Sequence, residues 1–282
     1  MQLNCPRPMH RYTFTVIDKD NGMPERVVNS LMSPRELQSV SATGFAIVRG
    51  LLTVDQVQSF GDCVDRVRAR RYRGNTRDTY RSGRYGGQYL RDLHAHDRDA
   101  WPLLMSTPIV DTVRSLLGPR IVMRSYSARV TYPGSLAATI WHADQRAGVM
   151  PEPPWFTRAR SVTVLVYLDK ADSCSGQTSL VPRSHDRKEL PVEKGDPPDA
   201  ITVDAEPGDA LIFDGGLWHR AGPNGPDGWL RRVLNLQFAP SWTRLANFEA
   251  IADNALVREL ADRARLTDRI DDLELLGQGG YM

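Results

Sequence analysis

Short β-prone segments, separated by turns and with no helical segment between them, occupy the middle and second half of the sequence. These segments are residues 121–132, 161–169, 201–204, 210–213 and 231–239. In segment 161–169 the apolar residues alternate, so they share one face of a strand. Many short strands at turn-separated intervals predict an antiparallel sandwich or barrel.

Helical segments flank this β region. Ser33 and Glu36 give a helix start signal, with the serine as N-cap and the glutamate in capping-box register. Thr53 opens a second helix, Pro108 opens a third, and residues 247–271 have helical character. We therefore predict a mainly β fold with flanking helices, a double-stranded β-helix of the jelly-roll or cupin-like barrel type.

The domain organisation follows from length and local composition. A chain of 282 residues is long enough to bury a large core in one domain. Residues 1–32 are polar and irregular, which predicts an N-terminal arm, and residues 33–282 form the single domain. Residues 72–98 are rich in Arg, Gly, Tyr and His without a steady period, so we expect a lid or substrate loop there. Residues 247–271 are expected to pack outside the barrel as a C-terminal helix.

Composition argues against several classes of function. A net charge of +2 gives no reason to expect nucleic-acid binding, and no apolar run approaches the length of a membrane span. Three widely spaced cysteines without a C-x-x-C pattern suit a reducing compartment. We expect a cytoplasmic monomer or homodimer that acts on a small molecule, with no nucleic-acid or membrane partner.

A possible metal site begins with His142 and Asp144, which are two positions apart. Residues i and i+2 of a strand point to the same side, so an imidazole and a carboxylate can meet one ion there. His219 lies far downstream and would arrive from another strand. Two histidines and one carboxylate occupy one face of an octahedral metal, the arrangement of non-haem Fe(II) oxygenases. This arrangement leaves positions for a chelating co-substrate and for dioxygen.

Other histidines compete with this interpretation. An H-x-D pair alone occurs often by chance, and residues 92–97 contain the similar sequence DLHAHD. That segment lies in the Arg-rich region without strand context, so we interpret it as a surface or substrate loop. His185 lies in a loop after Gly176, which makes it a weaker ligand candidate, and His10 lies in the arm.

The strand that begins at Arg231 carries two arginines. Alternation places Arg231 with Val233 and Asn235, and Arg232 with Leu234, so one arginine faces the cavity and the other does not. A planar guanidinium can bind a carboxylate through two hydrogen bonds. The pattern alone does not choose between Arg231 and Arg232.

The chain resembles the phytanoyl-CoA dioxygenase family of Fe(II)/2-oxoglutarate oxygenases from about Ser33 to Ala239. The resemblance rests on motifs in a fixed order rather than on the three ligand candidates alone. These motifs are GFAIVRGLL (44–52), WHADQ (141–145), VLVYLD (164–169), GQT (176–178), VPRSH (181–185), PGD (207–209) and WHRAGPN (218–224).

The resemblance implies a complete cofactor set. His142, Asp144 and His219 would bind Fe(II), Arg231 would bind 2-oxoglutarate, and Arg129 would assist it. The reaction would consume O2 and convert 2-oxoglutarate to succinate and CO2. Asp144 is retained, so the substitution that opens a halide site in related halogenases is absent. The resemblance therefore implies hydroxylation or another oxidation and not halogenation.

Candidate substrate residues flank, in the sequence, the three ligand candidates His142, Asp144 and His219, which we call the triad. They are Arg124, Arg146, Trp155, Tyr89 and Arg91. Together they indicate a small polar or anionic metabolite, with a role in secondary metabolism. Desaturation, epoxidation or cyclisation by the same cofactors is an alternative outcome. A different class of function is a non-catalytic, cupin-like protein that binds a metal or a small molecule.

Overall fold

The computed structural model describes most of the chain, with gaps between its segments. The described residues are 11–18, 23–71, 87–105, 107–135, 138–144, 161–187, 195–241 and 254–278, together with 189, 191 and 243. Every structural statement below refers to these residues. None of the helices among them has both the length and the apolar composition that crossing a bilayer requires.

Eleven strands and six helices are assigned in the described residues. The strands are β1 (Tyr12–Asp18), β2 (Met23–Ser30), β3 (Phe45–Val48), β4 (Gln88–Leu90), β5 (Ile121–Thr131), β6 (Val162–Tyr167), β7 (Thr178–Leu180), β8 (Ile201–Val203), β9 (Ala210–Asp214), β10 (His219–Ala221) and β11 (Arg231–Pro240). The helices are α1 (Pro34–Thr43), α2 (Val54–Arg71), α3 (Trp101–Leu104), α4 (Thr107–Leu117), α5 (Ala255–Leu266) and α6 (Ile270–Leu275).

Two antiparallel sheets form the body of the molecule. The larger one has six strands in the order β3-β9-β6-β11-β5-β4, and the smaller one has the order β10-β7-β8. A core that includes Tyr167, Phe213, Leu180 and Val233 contains residues from both sheets. The other face of the large sheet packs with α1–α6 through the main core, to which Val164 belongs. The predicted fold class, mainly β with flanking helices, is therefore confirmed.

The start of α1 follows the predicted capping box. The Ser33 hydroxyl accepts a hydrogen bond from the backbone N–H of Glu36, and the Glu36 carboxylate accepts one from the backbone N–H of Ser33. Gly44 then ends the helix in the left-handed conformation, with φ of 93°. This end leads the chain directly into β3, an edge strand of the large sheet.

The structure differs from three local expectations. Residues 12–30 are not irregular, because β1 and β2 pair as a hairpin. The hairpin docks on α4, where the backbone N–H groups of Asn29 and Leu31 donate to Asp111 and Thr112. Part of the expected loop 72–98 is the strand Gln88–Leu90 on the edge of the large sheet, while residues 72–86 lie outside the described residues. The C-terminal helical segment is two helices, Ala255–Leu266 and Ile270–Leu275, and not one.

Candidate metal centre

The triad gathers at the mouth between the two sheets. His142 and His219 form an isolated antiparallel bridge in which the backbone N–H of each donates to the carbonyl of the other, at 3.0 and 2.8 Å. Asp144 follows two residues after His142, and one ligand atom from each of the three residues lies within 4.8 Å of the others. The backbone pairing thus holds three potential ligands, from distant parts of the chain, around one point.

The tautomer of both histidines follows from their hydrogen bonds. Nδ1 of His142 lies 2.9 Å from the carbonyl oxygen of Ile140, and Nδ1 of His219 lies 2.9 Å from that of Leu217. A carbonyl only accepts, so each neutral ring carries its hydrogen on Nδ1 and keeps the Nε2 lone pair available. The Nε2 atoms of His142 and His219 are therefore both available to bind a metal ion.

The Asp144 carboxylate is held by a threonine of the large sheet. Thr163 Oγ1 donates to Asp144 Oδ2 at 2.6 Å, while Asp144 Oδ1 lies 3.8 Å from His219 Nε2. One carboxylate oxygen is thus engaged by a neutral donor and the other faces the histidines. Thr163 is fully buried on β6, so its orientation is fixed by packing.

Burial also sets the charge state of His142. It holds the pKa of His142 well below its usual range, and neighbouring His219 lowers that pKa further, against the opposing effect of Asp144. The His142 imidazole is therefore neutral near pH 7. A neutral imidazole is the form that binds a metal ion.

Arg231 lies on the face of the large sheet that also carries Thr163. Its side chain is buried, its Nη2 donates to Thr131 Oγ1 at 3.3 Å, and its Nε has no hydrogen-bond partner among the described residues. Burial lowers the pKa of Arg231 to about 10, and the charge of Arg129 adds to this effect. No described carboxylate forms an ion pair with Arg231. A buried charge without a partner is costly, so its guanidinium is a candidate binding group for an anionic ligand.

Arg232 points to the other face and is fully paired. Its guanidinium donates two hydrogen bonds to Asp169, both at 2.9 Å, and a third to Asp65, also at 2.9 Å. These acids raise the pKa of Arg232. Arg232 therefore acts as a structural link between the sheet and α2.

The other sequence candidates are only partly brought together. Arg129 and Tyr89 are direct cross-strand partners on the site face, and the Tyr89 hydroxyl accepts a hydrogen bond from Ser127 at 2.9 Å. Arg91 is exposed, and its guanidinium lies 5.6 Å from the centre of the Tyr89 ring. Arg124 lies where β5 and β11 shift register. Arg146 and Trp155 lie outside the described residues.

The part of the chain that contains these site residues is similar to known proteins. The sequence profile of the phytanoyl-CoA dioxygenase family (PhyH) matches residues 40–233, which include the triad, Arg129 and Arg231. The chain belongs to the phytanoyl-CoA dioxygenase family. This confirms the resemblance that the motifs indicate.

A curated relative and two solved structures extend the comparison. The dioxygenase af480 of Aspergillus fumigatus is 29% identical over 196 residues, which are 69% of this chain and 59% of that protein. HygX from Streptomyces hygroscopicus, solved with nickel and 2-oxoglutarate, has a TM-score of 0.61 at 16% identity, over 75% of this chain and 88% of its own. The carbocyclase SnoK from nogalamycin biosynthesis has a TM-score of 0.61 at 17% identity, over 74% and 85%. HygX was also solved with hygromycin B bound.

The competing histidines of residues 92–97 are not part of the cluster of His142, Asp144 and His219. His94 is fully buried within a short 3-10 turn that packs against the helix-facing side of β5, where its ring stacks on Tyr126 with centroids 6.2 Å apart. The expectation of a surface or substrate loop is therefore wrong for His94, because the turn inserts this side chain into the main core. His185 lies in another 3-10 turn and is not part of the triad cluster.

A cavity of about 360 Å³ lies away from the triad, between α4 and the C-terminal helices. Its charged residues already pair with each other, since Arg269 contacts Asp272 at 2.7 Å and Arg114 lies 3.7 Å from Asp271. These contacts link the last helices to the core. The charges of this cavity therefore offer a weaker case for ligand binding than those at the triad.

The sequence interpretation missed three residues near the metal centre: Thr163, Asn235 and Gln237. Each is a polar residue on the site face of an otherwise apolar strand. That interruption of the apolar pattern is the signal that could have identified them, because a polar group inside a barrel needs a partner.

Proposed function

We propose that this protein is an Fe(II)/2-oxoglutarate-dependent dioxygenase that hydroxylates an unactivated C–H bond of a small polar or anionic metabolite, in secondary metabolism. Two features of the same protein carry the proposal. His142, Asp144 and His219 form a cluster of potential metal ligands, and the buried Arg231 has no acidic partner among the described residues. Metal ligands and an unpaired arginine are the two features that a metal-chelating dicarboxylate requires.

The donor set of the triad fits Fe(II). Two imidazole nitrogens and one carboxylate oxygen suit a divalent transition metal and leave its remaining positions open. When bound, iron and 2-oxoglutarate together would supply the oxidising power, with O2 consumed and 2-oxoglutarate converted to succinate and CO2. His142, Asp144 and His219 would hold the metal, and Thr163 would fix the carboxylate that completes the set.

Arg231, Arg129 and Thr131 would receive 2-oxoglutarate. The dicarboxylate carries a charge at each end, and a buried guanidinium binds a carboxylate strongly because the surroundings screen it weakly. Arg129 lies on the same face, two residues along β5 from Thr131, the cross-strand partner of Arg231. Tyr167, which pairs with Val233, is fully buried beside them and would exclude water from this end of the pocket.

The product class is the finer part of the proposal. Hydroxylation is the simplest outcome of such a site, while desaturation, epoxidation or cyclisation is the alternative with the same cofactors. The carbocyclase SnoK has a similar fold, and this similarity supports cyclisation as one of the alternative reactions. Product mass separates the outcomes, because hydroxylation adds an oxygen atom whereas desaturation and ring closure remove hydrogen.

The proposed setting follows from the expected chemistry. We propose a cytoplasmic protein, monomeric or homodimeric, that binds a small molecule and neither nucleic acid nor a membrane. HygX, which shares the fold, was solved with a small molecule bound, and this supports the choice of partner. The competing proposal is a cupin-like binder in which the metal has no catalytic role.

Succinate formation tests the catalytic proposal. The purified protein with Fe(II), 2-oxoglutarate, O2 and a panel of metabolites should release succinate, and omission of Fe(II) should stop the release. His219→Ala should abolish it, whereas His96→Ala, a histidine outside the triad, should retain it. If the protein binds the metal but releases no succinate in an iron-dependent reaction, the cupin-like binder is favoured.

A further inference from the structure

A row of polar side chains extends sideways from the metal centre across the large sheet. Gln237 of β11 is the direct cross-strand partner of Thr163, the residue that holds Asp144, and Ser125 of β5 is the partner of Gln237 on its other side. Two residues further along each strand, on the same face, Asn235 is opposite Ser127. We call Ser125, Ser127, Asn235 and Gln237 the polar floor.

The polar floor begins close to the metal ligands. Directly opposed side chains of an antiparallel pair have Cβ atoms about 5 Å apart, so Gln237 is a neighbour of Thr163. Thr163 Oγ1 is itself 2.6 Å from the Asp144 carboxylate. A molecule that rests on the floor therefore has part of its surface next to the metal centre.

The hydrogen-bonding capacity of the floor is largely unused. Ser127 donates to Tyr89, but Ser125, Asn235 and Gln237 make no side-chain hydrogen bond in the part of the chain that the structure describes. Asn235 Oδ1 is buried without a partner. An unsatisfied buried polar atom costs about 1–3 kcal/mol, so these groups are retained where a ligand or ordered water engages them.

The opposite flank of the metal centre is apolar. Phe213 is the cross-strand partner of Thr163 on the β9 side, and Leu165 and Leu211 form the next pair. Phe213 and Leu211 are fully buried in the core between the sheets. This flank is therefore filled by apolar side chains, whereas the polar floor on the other side of Thr163 carries hydrogen-bonding groups.

A cation, Arg124, directly precedes the floor residue Ser125 on β5. The register of β5 and β11 shifts between Gln237 and Phe238, so Arg124 is an extra residue with no direct partner on β11. Such a bulge releases a side chain from strict alternation. Arg124 Nε is buried without a hydrogen bond, and its guanidinium has no ion pair among the described residues. An anionic group is the partner that its charge requires.

We propose that the substrate is a hydroxyl-rich acid, whose hydroxyl or carbonyl groups contact Asn235, Gln237 and the floor serines and whose anionic group contacts Arg124. This inference rests on the proposed function, since it assigns the substrate class of the same site. Serine and carboxamide side chains both donate and accept, which matches a polyhydroxylated surface. None of the four floor residues is acidic, which disfavours a polycationic substrate.

Binding to a metal-loaded, non-reacting form tests the inference. The protein is saturated with Ni(II) and 2-oxoglutarate, and gluconate, quinate, decanoate and kanamycin are titrated up to millimolar concentrations while ligand-observed NMR reports binding. We expect gluconate or quinate to bind, with decanoate and kanamycin at least tenfold weaker. Tighter binding of decanoate or kanamycin, or no binding of either hydroxyl-rich acid, overturns the proposal.

Variants then assign the contacts. Asn235→Leu and Gln237→Met should each weaken the bound acid about tenfold, the effect expected for one buried hydrogen bond of about 1.4 kcal/mol. Arg124→Ala should weaken the acid and leave the affinity for its uncharged amide, gluconamide, unchanged. Unchanged affinity in folded Gln237→Met and Arg124→Ala proteins overturns the assignment, and circular dichroism identifies a variant that fails to fold.

The two proposals fail in different ways. Absence of iron-dependent succinate formation, with intact binding of the hydroxyl-rich acid, counts against the proposed function alone. Succinate formation that a hydrophobic acid stimulates, with the floor variants unaffected, counts against the substrate class alone.

Discussion

Arg231 and Arg232 are adjacent in sequence but have opposite environments. Arg231 is buried on the site face with a single hydrogen bond, to Thr131, whereas Arg232 makes three charge-assisted hydrogen bonds to Asp169 and Asp65 on the other face. Strand alternation separates them. Because Arg231 has no acidic partner in the described part of the chain whereas Arg232 has two, the two arginines should have separable functions.

Replacement of Arg231 should affect the co-substrate. Arg231→Ala is expected to weaken 2-oxoglutarate binding at least about 30-fold, since loss of one partner of a buried charge pair costs about 2–5 kcal/mol. Isothermal titration of the Ni(II)-loaded protein measures this. Arg232→Ala should lower the free energy of unfolding while the folded fraction keeps its 2-oxoglutarate affinity. An equal loss of affinity in Arg232→Ala contradicts the assignment.

Thr163 should control how firmly the metal is held. Thr163→Val removes the hydrogen bond to Asp144 with little change in shape, and we expect a loss of metal affinity of about 10–100-fold, as for other groups that orient ligands. Thr163→Ser keeps the hydroxyl and should retain most of the affinity. Competition with a fluorescent chelator provides the measurement. Equal affinities for the valine and serine variants would show that the hydroxyl does not matter.

Gly176 should be needed to seat Arg231. Its φ is +85°, and a Cβ there would lie 2.5 Å from the Pro223 carbonyl oxygen and 2.6 Å from Arg231 Nη1. Gly176→Ala should therefore destabilise the protein by more than the about 1–3 kcal/mol expected from backbone strain alone. It should also weaken 2-oxoglutarate.

A matched glycine separates strain from crowding. Gly195 also has a positive φ, of +77°, but no atom of the described residues lies within 4 Å of the position that its Cβ would take. Gly195→Ala should show the strain cost without loss of 2-oxoglutarate affinity, as followed by urea denaturation and titration calorimetry. A similar loss of affinity in both variants would argue against the close approach of Gly176 to Arg231.

The β architecture could be predicted because its signals are local. Alternation over residues 161–169, the turns and the capping box at Ser33 each depend on a few neighbouring residues, and the corresponding elements are present. The β1–β2 hairpin was missed although Tyr12, Phe14 and Val16 alternate with threonines in β1, because β2 shows no such alternation. The strand Gln88–Leu90 is only three residues long, and the hairpin is held in place by long-range contacts such as the hydrogen bond from Leu31 to Thr112.

The buried histidine His94 should make stability depend on pH. Burial lowers its pKa to about 4, with His96 adding to the effect, from an ordinary value near 6.5. Between these values the unfolded chain binds the proton that the folded protein excludes, so stability falls as pH decreases from 6.5 towards 4. The full effect is about 3 kcal/mol.

A single variant isolates this contribution. His94→Phe keeps an aromatic ring against Tyr126 and removes the titrating group, so the loss of unfolding free energy between pH 7.5 and pH 5 should be smaller than in the wild type. Urea denaturation at the two pH values gives the difference. Parallel pH dependence in the two proteins would mean that His94 is not buried in a neutral state.

The candidate site shows the same limit of sequence reasoning. The H-x-D spacing and a distant histidine predict three ligands, because strand periodicity is local, but the backbone bridge between His142 and His219 is a tertiary feature. The choice between Arg231 and Arg232 needed the positions of Asp65 and Asp169. The side-by-side arrangement of the polar floor could not be read from the sequence, because the register between β5 and β11, including the shift at Arg124, is set by pairing across the sheet.

Anaerobic visible spectroscopy tests the central claim, a metal held by His142, Asp144 and His219 that 2-oxoglutarate chelates. We predict a weak charge-transfer band that appears only when Fe(II) and 2-oxoglutarate are both present, disappears in His219→Ala and persists in His96→Ala. No band with the wild-type protein, or a band of equal strength in His219→Ala, would contradict the account.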